Sequence, residues 1–259
     1  MLTRIASGLT LLAIVLAVVI GLSPWGTIVM ALVVVALASD EFAQLAKAGT
    51  DTREAGLSAV VTALAIATNG LVQVVLFAVL VVVAARAVGR GRPDQDVIRQ
   101  AGVALGAPVY IGVPAGLVCA LRTEFGPWAL LAGLLTVMAS DTAQLFGGRA
   151  WGRHLLAPVV SPKKTVEGAV AGVAAAALVL PGLGHWWLPQ LGWPVLAGVG
   201  AVMGLLGIAG DLFESLLKRS AGVKDSSALI PGHGGMLDRV DAILFAVPFL
   251  YVVLRALSL

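Results

Sequence analysis

The sequence predicts an all-α, polytopic membrane protein of about nine transmembrane helices with a cytoplasmic N-terminus. Three observations predict it. The 259 residues are 59% hydrophobic and 12% charged, with a mean hydropathy of +0.99, outside the range of ordinary soluble domains. The apolar residues form runs of membrane-span length rather than the short alternating segments of a barrel. The cations are shared unequally between the loops that join those runs.

Span 1 runs from about Gly8 to Leu22 behind Arg4, and Ser23-Pro24-Trp25-Gly26 breaks it. Ala36-Leu37-Ala38 resembles a signal-peptide cleavage site. A second apolar run and the intervening break argue against a signal peptide. Span 2 covers about Thr27 to Ala38 and reaches toward a turn at Asp40-Glu41-Phe42, with Ala43 to Arg53 as a polar connection. The apolar stretch from Leu57 to Ala85 is long for one span and short for two. Asn69-Gly70 is a turn signal in its middle, so it reads as spans 3 and 4, with span 3 starting near Thr52. Gly89 to Gln100 is a charged loop. Span 5, about Ala101 to Leu121, contains Pro108 and Pro114, which are expected to kink it. The single cysteine, Cys119, lies in this apolar run and reads as a packing residue.

Span 6 is about Pro127 to Ser140, followed by a long polar loop from Asp141 to Gly168. Span 7 is about Ala169 to Leu180. Trp186, Trp187 and Trp193 suit an interfacial belt, with His185 as a headgroup-level polar residue. Span 8 runs from about Pro194 into Asp211, with Arg219 as its farthest limit, and span 9 from about Ala242 to Leu257. Residues 1–100 thus hold spans 1 to 4 and a charged loop; residues 101–259 hold spans 5 to 9 and two polar loops. With nine spans, 15 of the 17 Lys and Arg fall on one side, and only Arg122 and Arg255 on the other. Merging spans 3 and 4 would reduce the split to 12 against 5. The richer side is expected to be cytoplasmic. Both polar loops then face the cytoplasm at headgroup level.

The polar chemistry concentrates between Gly210 and Asp241, where nine charged residues fall in thirty-two. Charges at the end of an apolar segment are unfavourable unless they meet each other, a metal or a charged ligand. If span 8 continues as a helix, Asp211, Glu214, Ser215, Lys218 and Arg219 share one face. Asp238 and Asp241 would share another if span 9 starts early. Two carboxylate groups that fold together could hold a hard cation, and magnesium takes one or two carboxylates plus water and substrate phosphates. Lys218, Arg219, Lys224 and Arg239 suit phosphate oxygens. Gly232-His233-Gly234-Gly235 permits close backbone approach to a ligand. A plainer reading of any one residue is a solvated loop with a Glu214–Lys218 pair.

The segment Ser215-x-x-Lys218-Arg219, Lys224-Asp225, Pro231-x-His233-Gly234-Gly235-x-x-Asp238-Arg239-x-Asp241 resembles the signature of phosphatidate cytidylyltransferases, the CDP-diacylglycerol synthases. Gly210-Asp211-Leu212-x-Glu214 before it is similar too. In the loop after span 6, Ser161-Pro162-Lys163-Lys164-Thr165-Val166-Glu167-Gly168 resembles a second motif of that family, and Asp141-Thr142-Ala143 with Gly148-Arg149 a third. Gln144 and Leu145 depart from it, standing where alanine and tyrosine are expected. Read structurally, Ser161-Pro162 would be the N-cap and first residue of span 7.

The resemblance covers roughly the last 120 residues and implies a magnesium-dependent condensation of CTP with phosphatidate at the inner membrane. It implies Asp211 and Asp238 as leading magnesium ligands, with Asp141 and Asp241 at a second site or in an outer shell. It further implies a second cation such as K+, a homodimer, and no nucleic-acid partner. Lys218, Asp238, Asp211, Arg239 and Asp241 are then the catalytic group. Ser161, Lys163, Lys164, Thr165, Ser215, Arg219, Lys224, Asp225, His233, Gly234 and Gly235 are the substrate-binding group. His233 is open between a nucleotide contact and a loop-ordering hydrogen bond. The rivals are a CTP-using lipid kinase, a CDP-alcohol phosphatidyltransferase, whose Asp-Gly…Ala-Arg pattern is absent, and a transporter, which would carry its charges near the bilayer midplane.

Overall fold

The computed structural model describes residues 2–46, 52–90, 95–230 and 234–257. It is an all-α structure apart from one short hairpin. The helices are α1 (Leu2–Gly21), α2 (Pro24–Leu45), α3 (Thr52–Ala67), α4 (Val72–Arg90), α5 (Gln95–Ala107), α6 (Val113–Trp151), α7 (Val166–Trp187), α8 (Trp193–Ser220) and α9 (Leu237–Ala256). A π-helical turn, Pro108–Gly112, joins α5 to α6, and β1 (Leu155–Ala157) pairs antiparallel with β2 (Ser161–Thr165). Among the described residues, five stretches are long and apolar enough to cross a membrane: Pro24–Leu45, Val72–Gly89, Asp96–Trp151, Val166–Trp187 and Trp193–Ser220. The architecture fits an all-α membrane protein.

The boundaries follow local chemistry. Ser23 and Pro24 start α2 with extended backbone at the cap and proline in the first turn. Leu57 to Ala85 divides into two helices, because Asn69 takes a positive φ of 53° and Gly70 follows it. Pro108 has no N–H to donate, and the chain widens there into the π turn rather than breaking. Gly126, with φ 86°, and Pro127 interrupt α6 where spans 5 and 6 were separated. Lys218 and Arg219 sit in the last turn of α8, where cations complement the helix dipole.

Several sequence boundaries need correction. The expected polar loop from Asp141 to Gly168 is mostly ordered: α6 continues to Trp151, and the β1–β2 hairpin follows. Within α6, Thr142 donates to the Met138 carbonyl and Gln144 to Ser140 and Asp141. The cap of α7 is Thr165, whose Oγ1 accepts from Gly168 N at 3.1 Å; Ser161 and Pro162 lie in β2 instead. α7 passes through buried Pro181 to Trp187, beyond the predicted end at Leu180. Helix extends into both expected polar connections: α2 runs to Leu45 and α3 starts at Thr52, while α4 runs to Arg90 and α5 starts at Gln95.

Two apolar clusters form the core. One joins α6, α7, α8 and α9 through Leu130, Leu180, Leu196, Met203 and Leu250, with Val19 of α1. The other joins α2, α3, α5 and the start of α6 through Val35, Ala59, Ala107 and Ala115, and includes Leu237 and Leu244 of α9. α9 therefore belongs to both, and its first turn lies where they meet. At the opposite end of the bundle, buried Arg122 donates to the carbonyls of Val19 and Leu22 and so caps α1.

Candidate active site

The C-terminal ends of α2, α6 and α8, the first turns of α7 and α9, and the hairpin meet at one end of the bundle. α8 presents Asp211, Glu214, Ser215 and Lys218 on one face, as the helical spacing required. Ser215 Oγ donates to Asp211 Oδ1 at 3.3 Å. Lys218 Nζ bridges fully buried Glu214, its i+4 partner, and Asp238 Oδ1 at 2.5 Å. The pair that a solvated-loop reading would expect is present, but buried and extended to a third charge. α8 and α9 approach closely here: a Cβ on Gly210 would collide with the carbonyl of Asp241 and the ring of Phe245.

The hairpin reaches the same place. A strand sends successive side chains to opposite faces, so Lys163 is exposed while Lys164 turns inward, its Nζ 2.6 Å from Asp211 Oδ2. The strand thus places the two lysines on opposite faces of the hairpin. Glu167 anchors the hairpin by accepting from the N–H groups of Arg153 and His154 at 3.0 and 3.2 Å, with His154 Nδ1 at 2.6 Å. Arg219 donates to the carbonyls of Val160 and Val223 at 3.4 and 3.1 Å, tying the hairpin tip to the end of α8.

Asp238 and Asp241 occupy the polar first turn of α9, ahead of the apolar stretch that begins at Ala242. Asp238 Oδ2 accepts from Ser226 N at 3.0 Å, Ser226 Oγ at 2.8 Å and Gly235 N at 2.8 Å. Burial works against its charge, yet Lys218 and these donors hold its carboxyl well below the usual range. In this structure Oδ1 meets Lys218 and Oδ2 meets the loop. Asp241 differs. Burial first, and then the charges of Asp211 and Asp141, push its carboxyl up to about 7.

Asp141, on the extended α6, also feels Asp211, and Gln144 Nε2 donates to its Oδ1 at 3.1 Å. Gln144, a departure from the family pattern, therefore orients Asp141. Leu145 is half exposed. Asp141, Asp211 and Asp241 lie near enough to repel one another, with Lys164 and Arg239 opposing this at Asp141 and Lys218 at Asp241. Among the described residues no three acids, histidines or cysteines form a ready-made metal cage. The carboxylates gathered here, Asp211, Asp238, Asp241 and Asp141, are hard oxygen donors of the kind that magnesium takes together with water and phosphate.

Lys224, Asp225 and Arg239 are exposed around this centre. Gly234, with φ 78°, accepts from Ile230 N at 2.9 Å through its carbonyl and closes the loop. His233 and Gly232 lie outside the described residues.

The model of the cytidylyltransferase family matches residues 2–257. The chain belongs to the cytidylyltransferase family. Among the relatives of this cytidylyltransferase-family chain is a phosphatidate cytidylyltransferase of Staphylococcus aureus, 37% identical over 145 residues, covering 56% of this chain and 55% of the relative. The protein of that name from Synechocystis sp. is 43% identical over 129 residues, covering 48% and 43%. One from Helicobacter pylori is 38% identical over 151 residues, covering 58% and 56%. The chain spans about half the length of these curated relatives.

Sequence reasoning missed Glu41. It stands in α2, 3% exposed, and accepts hydrogen bonds from the loop before α9 and from that helix's first residues. The available signal was a carboxylate at the end of an apolar helix, which is unfavourable there without a partner.

Proposed function

We propose that this chain is an integral membrane nucleotidyltransferase that condenses CTP with phosphatidate to form CDP-diacylglycerol and pyrophosphate in phospholipid synthesis. The observation that carries the reading is the Lys164–Asp211 contact at 2.6 Å. It joins the two motifs that the sequence separates into one centre of cations and carboxylates. The names of the relatives support the same reaction.

A phosphate oxygen of the lipid attacks the α-phosphorus of CTP. A new P–O bond forms, the bond to the bridging oxygen of the β-phosphate breaks, and pyrophosphate leaves with that electron pair. A phosphate monoester is already nucleophilic near neutral pH, so no strong general base is needed. The protein's task is to bring two polyanions together in line. Lys164 and Lys218 supply inward-facing positive charge, and Arg239, Lys224 and Lys163 ring the entrance. Asp211 and Asp238 would be the leading holders of Mg2+, with Asp141 and Asp241 at a second site or in an outer shell. Bound magnesium would supply charge neutralisation at the α-phosphate and the leaving pyrophosphate. Asp238 sets the position of Lys218.

The same proposal has nine spans in the inner membrane, a cytoplasmic N-terminus and site, and a homodimeric assembly. The 15-to-2 charge split supports the orientation. The test is purified protein given labelled CTP and phosphatidate in detergent with magnesium. Labelled CDP-diacylglycerol is the expected product. Release of CDP with transfer of the γ-phosphoryl group would replace this reading with a lipid kinase.

A further inference from the structure

We propose that Glu41 of α2 is a positioning residue for this centre: it pins the loop before α9 and the helix's first turn, and so aims Asp238, Arg239 and Asp241. The inference rests on the nucleotidyltransferase reading for its catalytic consequence, and on geometry alone for the pinning. Glu41 Oε1 accepts from Ser227 Oγ at 2.6 Å and Met236 N at 2.9 Å. Its Oε2 accepts from Leu237 N at 2.7 Å and lies 2.9 Å from Ser226 Oγ, whose single proton it shares with Asp238. These partners lie 185 to 196 residues away in the chain. Met236 and Leu237 are the cap and first residue of α9. Their N–H groups have no acceptor within their own helix, and Met236 offers no side-chain cap. Glu41 is thus a cap supplied by another helix, its negative charge matched to the positive end of α9.

The cap acts on the reacting groups through short connections. Ser226 Oγ lies between Glu41 Oε2 and Asp238 Oδ2, within hydrogen-bond distance of both. Asp238 in turn holds Lys218. One turn of α9 separates the pinned Leu237 from Asp241. The loop backbone presses directly on this carboxylate: a Cβ on Gly235 would collide with Ser226 Oγ and Glu41 Oε2. Neighbouring Asp40 is engaged differently, accepting from Gln44 Nε2 at 2.6 Å. The helix turns adjacent residues about 100° apart, so only Glu41 faces the loop.

The experiment uses the full chain in detergent and compares Glu41→Gln, Glu41→Asp and Ser227→Ala by steady-state kinetics and amide hydrogen exchange. An amide at position 41 would turn donors toward Leu237 N or Met236 N. Loss of charge-assisted bonds predicts a kcat for Glu41→Gln at least about tenfold lower per folded molecule, with KM for CTP within about twofold. Exchange should quicken across residues 234–240 and stay unchanged in α7. Glu41→Asp keeps the charge with a shorter reach and should fall between wild type and Glu41→Gln. Ser227→Ala removes one of the four donors and should lower kcat about two- to fivefold. Wild-type kcat in Glu41→Gln overturns the proposal, as does exchange that quickens equally throughout the bundle. If Glu41→Gln does not fold, Ser227→Ala decides by the same criteria. A wild-type protein that makes no CDP-diacylglycerol refutes the functional reading, while local exchange still judges the pinning.

Discussion

Replacing Lys218 by methionine should separate a structural charge from a catalytic one. Lys218 is 12% exposed, Glu214 is fully buried and Asp238 is 6% exposed. Removing the ammonium leaves the Glu214 carboxylate buried beside Asp238 with its cation gone. Breaking a buried pair from one side destabilises by about 3–5 kcal/mol. Removing both partners can be nearly neutral when shape is kept, but Asp238 would still lack its cation, so Lys218→Met/Glu214→Gln should recover only part of the loss. Turnover should not return, because the phosphates still lack their nearest α8 cation. The assay is the denaturation midpoint in detergent beside kcat for the same three proteins. A single variant as stable as wild type would refute the buried clamp. Recovery of kcat in the double variant would show that Lys218 serves only to neutralise Glu214.

Asp211→Asn should abolish nearly all turnover while the protein stays folded, since a lost magnesium ligand removes several kcal/mol of transition-state stabilisation; near-wild-type activity at saturating magnesium would exclude it as a ligand. Lys164→Ala should mainly raise the apparent KM for CTP, as lost uniform binding does, whereas Lys163→Ala, on the exposed face of β2, should change it far less. Kinetics with each substrate varied in turn distinguish these outcomes. In a Cys119→Ala background, a cysteine at Val159, which is 89% exposed at the hairpin turn, should be labelled only from the cytoplasmic side. Labelling from outside the cell would reverse the proposed orientation.

The hairpin and loop are held by contacts that differ in kind. Glu167 and Glu41 accept mainly backbone N–H groups and shape the chain, whereas Lys164 and Lys218 neutralise carboxylates that face the centre. When a polyanionic substrate enters, the first kind must persist and the second must exchange partners. Lys164 is the residue best placed for such an exchange, because its ammonium could pass from Asp211 to an arriving phosphate.

Local pattern alone determined much of this protein. Apolar runs required membrane-length helices because a backbone in hydrocarbon must satisfy its own hydrogen bonds. The i, i+3, i+4 and i+7 spacing from Asp211 to Lys218 required one helical face whatever lay beyond it. Asn69-Gly70 and Gly126-Pro127 marked breaks, because few backbones take those conformations. Tertiary structure decided what pattern cannot encode. Ser161 to Thr165 carries no apolar alternation, so only pairing with β1 makes it a strand and turns Lys163 away from Lys164. Asp141 to Trp151 reads as polar loop until Gly147 and Gly148 pack against the start of α7. Asp238 reads as a free carboxylate until Lys218, Ser226 and Gly235 occupy it. Glu41 has no motif at all. Its role exists only because two apolar clusters bring α2 against the start of α9, and a buried carboxylate must find its donors wherever the fold puts them.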